Sequence, residues 1–259
     1  MTVTTIERSF ARATIYRLLS LLFSCPTEDV YEETRRGLDA ALVASPLMPA
    51  EVAKSAARVA RALAASGQDG LEVAYRRLFT YSASPDCPLS ECAYSAKHVY
   101  QEVQEMADIA GFYRAFGLEI SGQRPDDLSA ELEFCYLLAL KQGHAREQRR
   151  RREETICRDA HRAFLHDHLG RWADNIGRRL QVLAPDSPYA SFGHLLCAFA
   201  AAEIEYLKTG PIQPHQDIPN PPEPPEDDEC PAVAGAPVDV AQEDFVAELM
   251  PVGEARKGG

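Results

Sequence analysis

From residue 6 to about residue 208, apolar side chains recur every three or four positions, and no stretch alternates apolar with polar residues over a strand's length. That spacing puts a buried stripe on each of a series of helices. Segments of this kind, cut apart by proline and glycine, bury their stripes only against one another, so the expected fold is all-α, a single helical-bundle domain. The spacing predicts helices over 6–23, stopped by Pro26, over 27–44, and over the Ala-rich 49–66 before Gly67, with a short one capped by Asp69 running through Phe79. Residues 80–94, TYSASPDCPLSECAY, read as a loop because prolines and small polar residues break any period. Helix resumes over 95–117. A further stripe through Leu128, Leu132, Cys135, Tyr136 and Ala139 ends at Gly143, an arginine-rich helix follows to His168, and Leu169, Trp172, Ile176 and Leu180 carry the apolar face to Pro185. Ser187 at the N-cap and Pro188 at the first helical position open the last strong helix, with Phe192, Leu195, Leu196 and Phe199 on its face.

Charge divides the chain in two. Of the net charge of −12, −9 lies in residues 211–259, leaving −3 for residues 1–210. The helical body is therefore nearly neutral and offers no phosphate-binding surface, which argues against a nucleic-acid partner. The run Arg149 to Arg152 is flanked by Glu147, Glu153 and Glu154 and reads as a solvated, salt-bridged helix face. Residues 211–237 hold nine of the chain's eighteen prolines and the acidic run from Glu226 to Glu229, so the expected organisation is a helical domain over 1–210 and a flexible acidic tail over 211–259. A weak amphipathic pattern at 240–250 marks a short, marginal helix within that tail. Residues 1–30 do not read as an export signal, and no window reaches the ~20 apolar residues of a membrane span. Seven cysteines, odd in number and mostly within helical stripes, read as reduced thiols of the cytoplasm.

Residues 106–134, MADIAGFYRAFGLEISGQRPDDLSAELEF, stand out: an aromatic helix runs into Gly117, crosses a polar loop and meets Asp126 and Asp127 at the start of the next helix. Two readings of that acid pair are open. Aspartates ahead of an apolar helical run cap its orphan N–H groups. Adjacent carboxylates also accept the forked donors of an arginine. Tyr75, Leu78 and Phe79 have core spacing, but their place before the proline loop suits the lip of a groove, while His168 beside Trp172 reads as a satisfied core histidine. Cys157 and His161 lie one helical turn apart, with His166 and His168 following, yet no paired-cysteine motif accompanies them. No Walker, dinucleotide, nucleophile-elbow or HExxH motif occurs, so a metal-dependent or small-molecule enzyme using these Cys and His residues is the alternative reading and lacks a mechanism.

Taken in order, Tyr75-x-x-Leu78-Phe79, the loop from Pro88 to Tyr94, the segment MADIAGFYRAFGLE, Pro125-Asp126 with Leu128, the run Glu131-Leu132-Glu133-Phe134, and Phe164-x-x-x-His168-Leu169-x-x-Trp172 resemble the TorD family of redox enzyme maturation chaperones, which are related to the nitrate reductase delta-subunit assembly factors. The family's Pro-Asp-His-Leu appears here as Pro125-Asp126-Asp127-Leu128, which removes the imidazole and adds an acid. The resemblance implies a cytoplasmic chaperone, not an enzyme. Its partner would be the catalytic subunit of a dimethyl sulfoxide reductase superfamily molybdoenzyme, bound at its twin-arginine leader until molybdopterin is inserted. The cofactor then belongs to the client, and the chaperone needs none of its own. On this reading Asp126 and Asp127 take the arginines, while Tyr75, Leu78, Phe79, Pro88 and Tyr94 line a groove for the leader's apolar stretch. The long loops also permit exchange of elements between copies, so a homodimer is among the expected states.

Overall fold

The computed structural model describes residues 4–80, 87–95, 98–119 and 124–216. Among these all the regular structure is helical, and the only β pairing is an isolated antiparallel bridge between Ser90 and Asp127. The helices are α1 (Thr5–Phe23), α2 (Glu28–Ala44), α3 (Ala50–Tyr75), α4 (Cys92–Ser95), α5 (Val99–Ala115), α6 (Leu128–Glu147), α7 (Arg151–Asp167), α8 (Ala173–Leu183) and α9 (Pro188–Leu207). None of them is long and apolar enough to cross a membrane.

The bundle is built around α1. Its start is fixed by a reciprocal capping box, in which the Thr4 hydroxyl accepts from the Glu7 N–H and the Glu7 carboxylate accepts from the Thr4 N–H at 2.8 Å. From Ala11 to Phe23 almost every side chain is buried, including Ile15, Tyr16, Leu18, Leu19 and Leu22, so α1 is covered on all sides by α2, α6 and α9. Around it α3 lies on α9, α6 on α7, and α8 on α9. The last pair approaches very closely: a Cβ on Gly177 would stand 2.4 Å from Cys197 Sγ, and one on Gly193 would stand 2.4 Å from the Gly177 carbonyl oxygen. Glycine at both positions is what lets the two backbones touch.

Several helix ends differ from their sequence expectations, each for a local reason. The break at Gly67 (φ 62°, ψ −173°) is a kink inside α3, because glycine takes the left-handed backbone and the helix resumes at once to Tyr75, followed by a π turn over Arg76–Thr80. Gly143 does not stop α6: a Cβ there would sit 3.0 Å from the Phe10 ring, so this glycine makes room for α1 in mid-helix. The chain turns instead at Arg149, whose φ is 57°, and α7 starts at Arg151. The expected loop 80–94 contains the short α4. Ser187 and Pro188 begin α9 as expected, with Ser187 Oγ accepting from the Tyr189 N–H at 3.3 Å.

The first residues of the expected tail are packed on the bundle. His215 is 8% exposed, its N–H donates to the Arg171 carbonyl at 2.8 Å, and Asn175 Nδ2 donates to the His215 carbonyl at 2.9 Å. The remainder of the expected tail, with the acidic run at 226–229, Cys230 and the short helix at 240–250, lies outside the described residues.

Candidate functional site

The loops before α4 and before α6 are laced together by backbone hydrogen bonds. Leu128 N–H donates to Leu89 O at 2.8 Å and Glu91 N–H to Asp126 O at 2.9 Å. At their centre the Asp126 carboxylate is fully buried and accepts three donors: the Cys92 N–H at 3.2 Å, and Arg124 through Nε at 2.9 Å and Nη2 at 3.0 Å. Arg124 also reaches Glu102 on α5 at 2.6 Å, and Tyr113 Oη donates to Pro125 O at 2.8 Å. The arginine that pairs with Asp126 is thus the chain's own.

Asp127 is the N-cap of α6. One oxygen accepts from both the Ser129 N–H at 2.8 Å and the Ser129 hydroxyl at 2.6 Å. Burial raises its pKa and the Ser129 bonds work against that rise. The two readings of the acid pair therefore separate by residue: Asp127 caps, and Asp126 takes an arginine fork from its own loop.

The other expected contact residues fall into two places. Pro88 and Tyr94 belong to the loop pair. Tyr94 is 4% exposed, donates to Pro88 O at 3.1 Å and stacks near Trp172, so it holds the loop from inside and lines no open groove. Tyr75 ends α3, and Leu78 and Phe79 lie in the π turn after it; all three are half-buried, Tyr75 and Phe79 against Tyr189, with Phe79 edge-on to it at 5.0 Å. Burial, then Cys25 and Asp127, push the Tyr75 phenol up to about 12. Leu78 also lines a groove of about 360 Å³ between α3 and the α8–α9 turn, together with Val73, Ala74, Leu183 and Pro185.

Beneath the loop pair lies a network that the sequence did not disclose. Glu91, 2% exposed, places one oxygen 3.1 Å from His168 Nδ1 and the other 2.8 Å from His215 Nε2. Burial opposes its charge, but the bonds from His168 and His215 outweigh burial and hold its pKa at about 2. Glu131, fully buried, accepts from Trp172 Nε1 at 3.1 Å; burial and the neighbouring negative Glu91 push its pKa well up. The two acids are thus pushed in opposite directions, Glu91 down and Glu131 up. His168 is buried, but its ring lies against Phe112 and Phe164, and its second nitrogen points toward α5, where Nε2 lies 3.3 Å from Asp108 Oδ2. A pocket of about 460 Å³ opens there, lined by Glu91, Gln104, Glu105, Asp108, Asp167, His168 and Arg171. Glu91 and His215 carried no sequence signal, since one lies in a proline loop and the other in a segment that reads as a tail.

Among the described residues no group of three or more His, Cys, Asp or Glu side chains is arranged to hold a metal. Cys157 is buried and its thiol pushed up by burial, while His161 is engaged by Tyr16 Oη at 3.0 Å and Arg12 Nη2 at 3.3 Å.

A family model described as the nitrate reductase delta subunit matches residues 45–177. Over 213 residues, 78% of this chain and 92% of the relative, the sequence is 28% identical to the perchlorate reductase assembly chaperone protein of Dechloromonas aromatica (strain RCB).

Proposed function

Since this chain belongs to the nitrate reductase delta subunit family, we propose that it is an assembly chaperone for the catalytic subunit of a molybdenum-containing reductase, which it holds in the cytoplasm while molybdopterin is inserted. The observation that carries this reading is the likeness to an assembly chaperone of a reductase across 78% of the chain, a span that includes every element of the loop pair. The chemistry of the cysteines agrees. Burial raises the thiols of Cys92, Cys135, Cys157 and Cys197, which leaves them protonated and poor nucleophiles. Cys92, Cys135, Cys157 and His161 are buried in the packed bundle, which favours a binding protein over the metal-dependent enzyme.

The bound element in this proposal is the client's leader, which brings arginines and an apolar stretch. Of the expected contact residues, Leu78 suits the apolar part, because it is only half-buried and lines a groove, and Tyr75 and Phe79 in the same stretch are half-buried as well. Asp126, Asp127, Pro88 and Tyr94 serve the site by holding its loops in register. Ordering of an extended leader costs free energy and keeps affinity moderate, which suits a client that must be released. Co-purification of the full chain from its native host with mass spectrometry tests the reading. Recovery of a molybdoenzyme large subunit bearing an arginine-rich leader supports it; recovery of the mature, leader-free enzyme in equal yield removes the leader from the contact.

A further inference from the structure

Among the described residues, one buried polar atom that borders a pocket is His168 Nε2. It is buried and has no hydrogen-bond partner, because the 3.3 Å approach of Asp108 Oδ2 lacks hydrogen-bonding geometry. With Nδ1 engaged by Glu91, Nε2 stands beside the Asp108 carboxylate without a hydrogen bond between them. The pocket on that side carries Glu105, Asp108 and Asp167 as well as Glu91. Its one arginine, Arg171, is held by the carbonyls of Gln213 at 3.1 Å and Asp167 at 3.4 Å and reaches none of these carboxylates as a hydrogen-bond partner. Asp108 has a side chain 69% exposed and, His168 apart, is engaged by no described group.

The same helix presents an apolar surface next to this pocket. Val99, Tyr100 and Val103 on α5 are 70%, 83% and 55% exposed. Tyr100, Gln104 and Asp108 follow one another at four-residue intervals, so they form one row along the helix, about 12 Å from Tyr100 to Asp108 at ~1.5 Å per residue. An extended peptide covers that distance in roughly four residues at ~3.3 Å each.

We propose that the pocket between α5 and the end of α7 binds an arginine of the client's leader, with His168 Nε2 and Asp108 as its acceptors and Val99, Tyr100 and Val103 covering the apolar residues about four positions away. The proposal rests on the leader-binding reading above and moves the arginine subsite from Asp126 and Asp127, which are already engaged, to the α5 row. A guanidinium is favoured over an ammonium because its fork reaches the ring nitrogen and the carboxylate at once.

The test uses the full chain and a fluorescently labelled synthetic peptide with an arginine pair followed by a short apolar run, beside the same peptide with citrulline at the arginines. Four proteins are titrated: wild type, Asp108→Asn, Tyr100→Ser, and Asp39→Asn, which makes the same charge change on an exposed face of α2. Asp108→Asn is expected to weaken the arginine peptide by about tenfold or more and to leave the citrulline peptide unchanged, with Asp39→Asn near wild type. Tyr100→Ser is expected to weaken both peptides alike. Wild-type binding that Asp108→Asn and Asp39→Asn affect equally, or that citrulline does not diminish, overturns the subsite and leaves the leader reading standing. Failure of wild type to bind either peptide overturns the leader reading, and the subsite with it.

Discussion

Arg12 meets Glu203 side-on at the centre of the bundle: Nε and Nη2 each lie 2.6 Å from a carboxylate oxygen, and neither side chain is exposed. The pair ties α1 to α9. Arg12 also donates through Nη1 to Gln142 on α6 at 2.9 Å and approaches His161 on α7, so one guanidinium joins four helices. Removing one partner leaves the other charge buried and unpaired, at a cost of about 3–5 kcal/mol. Glu203→Gln is expected to lower the urea-unfolding free energy by about that amount, and Arg12→Leu with Glu203→Leu together by less than the sum of the single changes.

His161 gives the fold a pH dependence with a defined sign. Burial and the nearby Arg12 charge hold its pKa well below the ordinary 6.5. A depressed folded value means that the unfolded chain takes up the proton first, so stability present above pH 6.5 is lost as pH falls, with a slope of up to about 1.4 kcal/mol per unit. His161→Gln is expected to be less stable near neutrality but to show a shallower fall. Unfolding free energies measured from about pH 7.5 to about pH 5.5 give the two slopes.

The adjacent acids of the loop pair differ in what their removal does. Asp127→Ala removes an N-cap, with an expected loss of about 1 kcal/mol. Asp126→Ala strands the Cys92 N–H and leaves Arg124 with Glu102 alone, with an expected loss of about 2–3 kcal/mol and faster amide exchange at Glu91 and Leu128, whose N–H groups pair the two loops. Thermal unfolding and hydrogen exchange of both variants separate the cap from the loop anchor.

Gly193→Ala puts a methyl group 2.4 Å from the Gly177 carbonyl oxygen, in backbone that cannot swing aside. Helices α8 and α9 must part, at an expected cost of about 1–3 kcal/mol. Gly111→Ala, where no atom lies within 4 Å of the added Cβ, is expected to be neutral or slightly stabilising in the same thermal-unfolding experiment.

The helical class and most helix starts were legible because they depend on neighbours in sequence. Ser187-Pro188 caps α9 from two adjacent residues, and Asp127 caps α6 from a residue two positions away. Partners far apart in the chain were not legible. Arg12 and Glu203 are separated by 191 positions, and Glu91 and His215 by 124, so no local period announces either pair. Glycine was ambiguous for a related reason: Gly67 kinks a helix and Gly143 admits the Phe10 ring, and both look the same as a stop. The acid pair stands at the start of α6, but which acid caps and which takes an arginine depends on where the Arg124 side chain folds back, which no spacing announces.

The most direct measurement is the molybdenum content of the reductase catalytic subunit purified from the native host with and without this chain, read as metal per polypeptide by mass spectrometry. The expected result is a large loss of molybdenum from the subunit in the strain lacking the chain, restored when the chain is supplied again. Full molybdenum occupancy and normal yield of the subunit in its absence would contradict an assembly role.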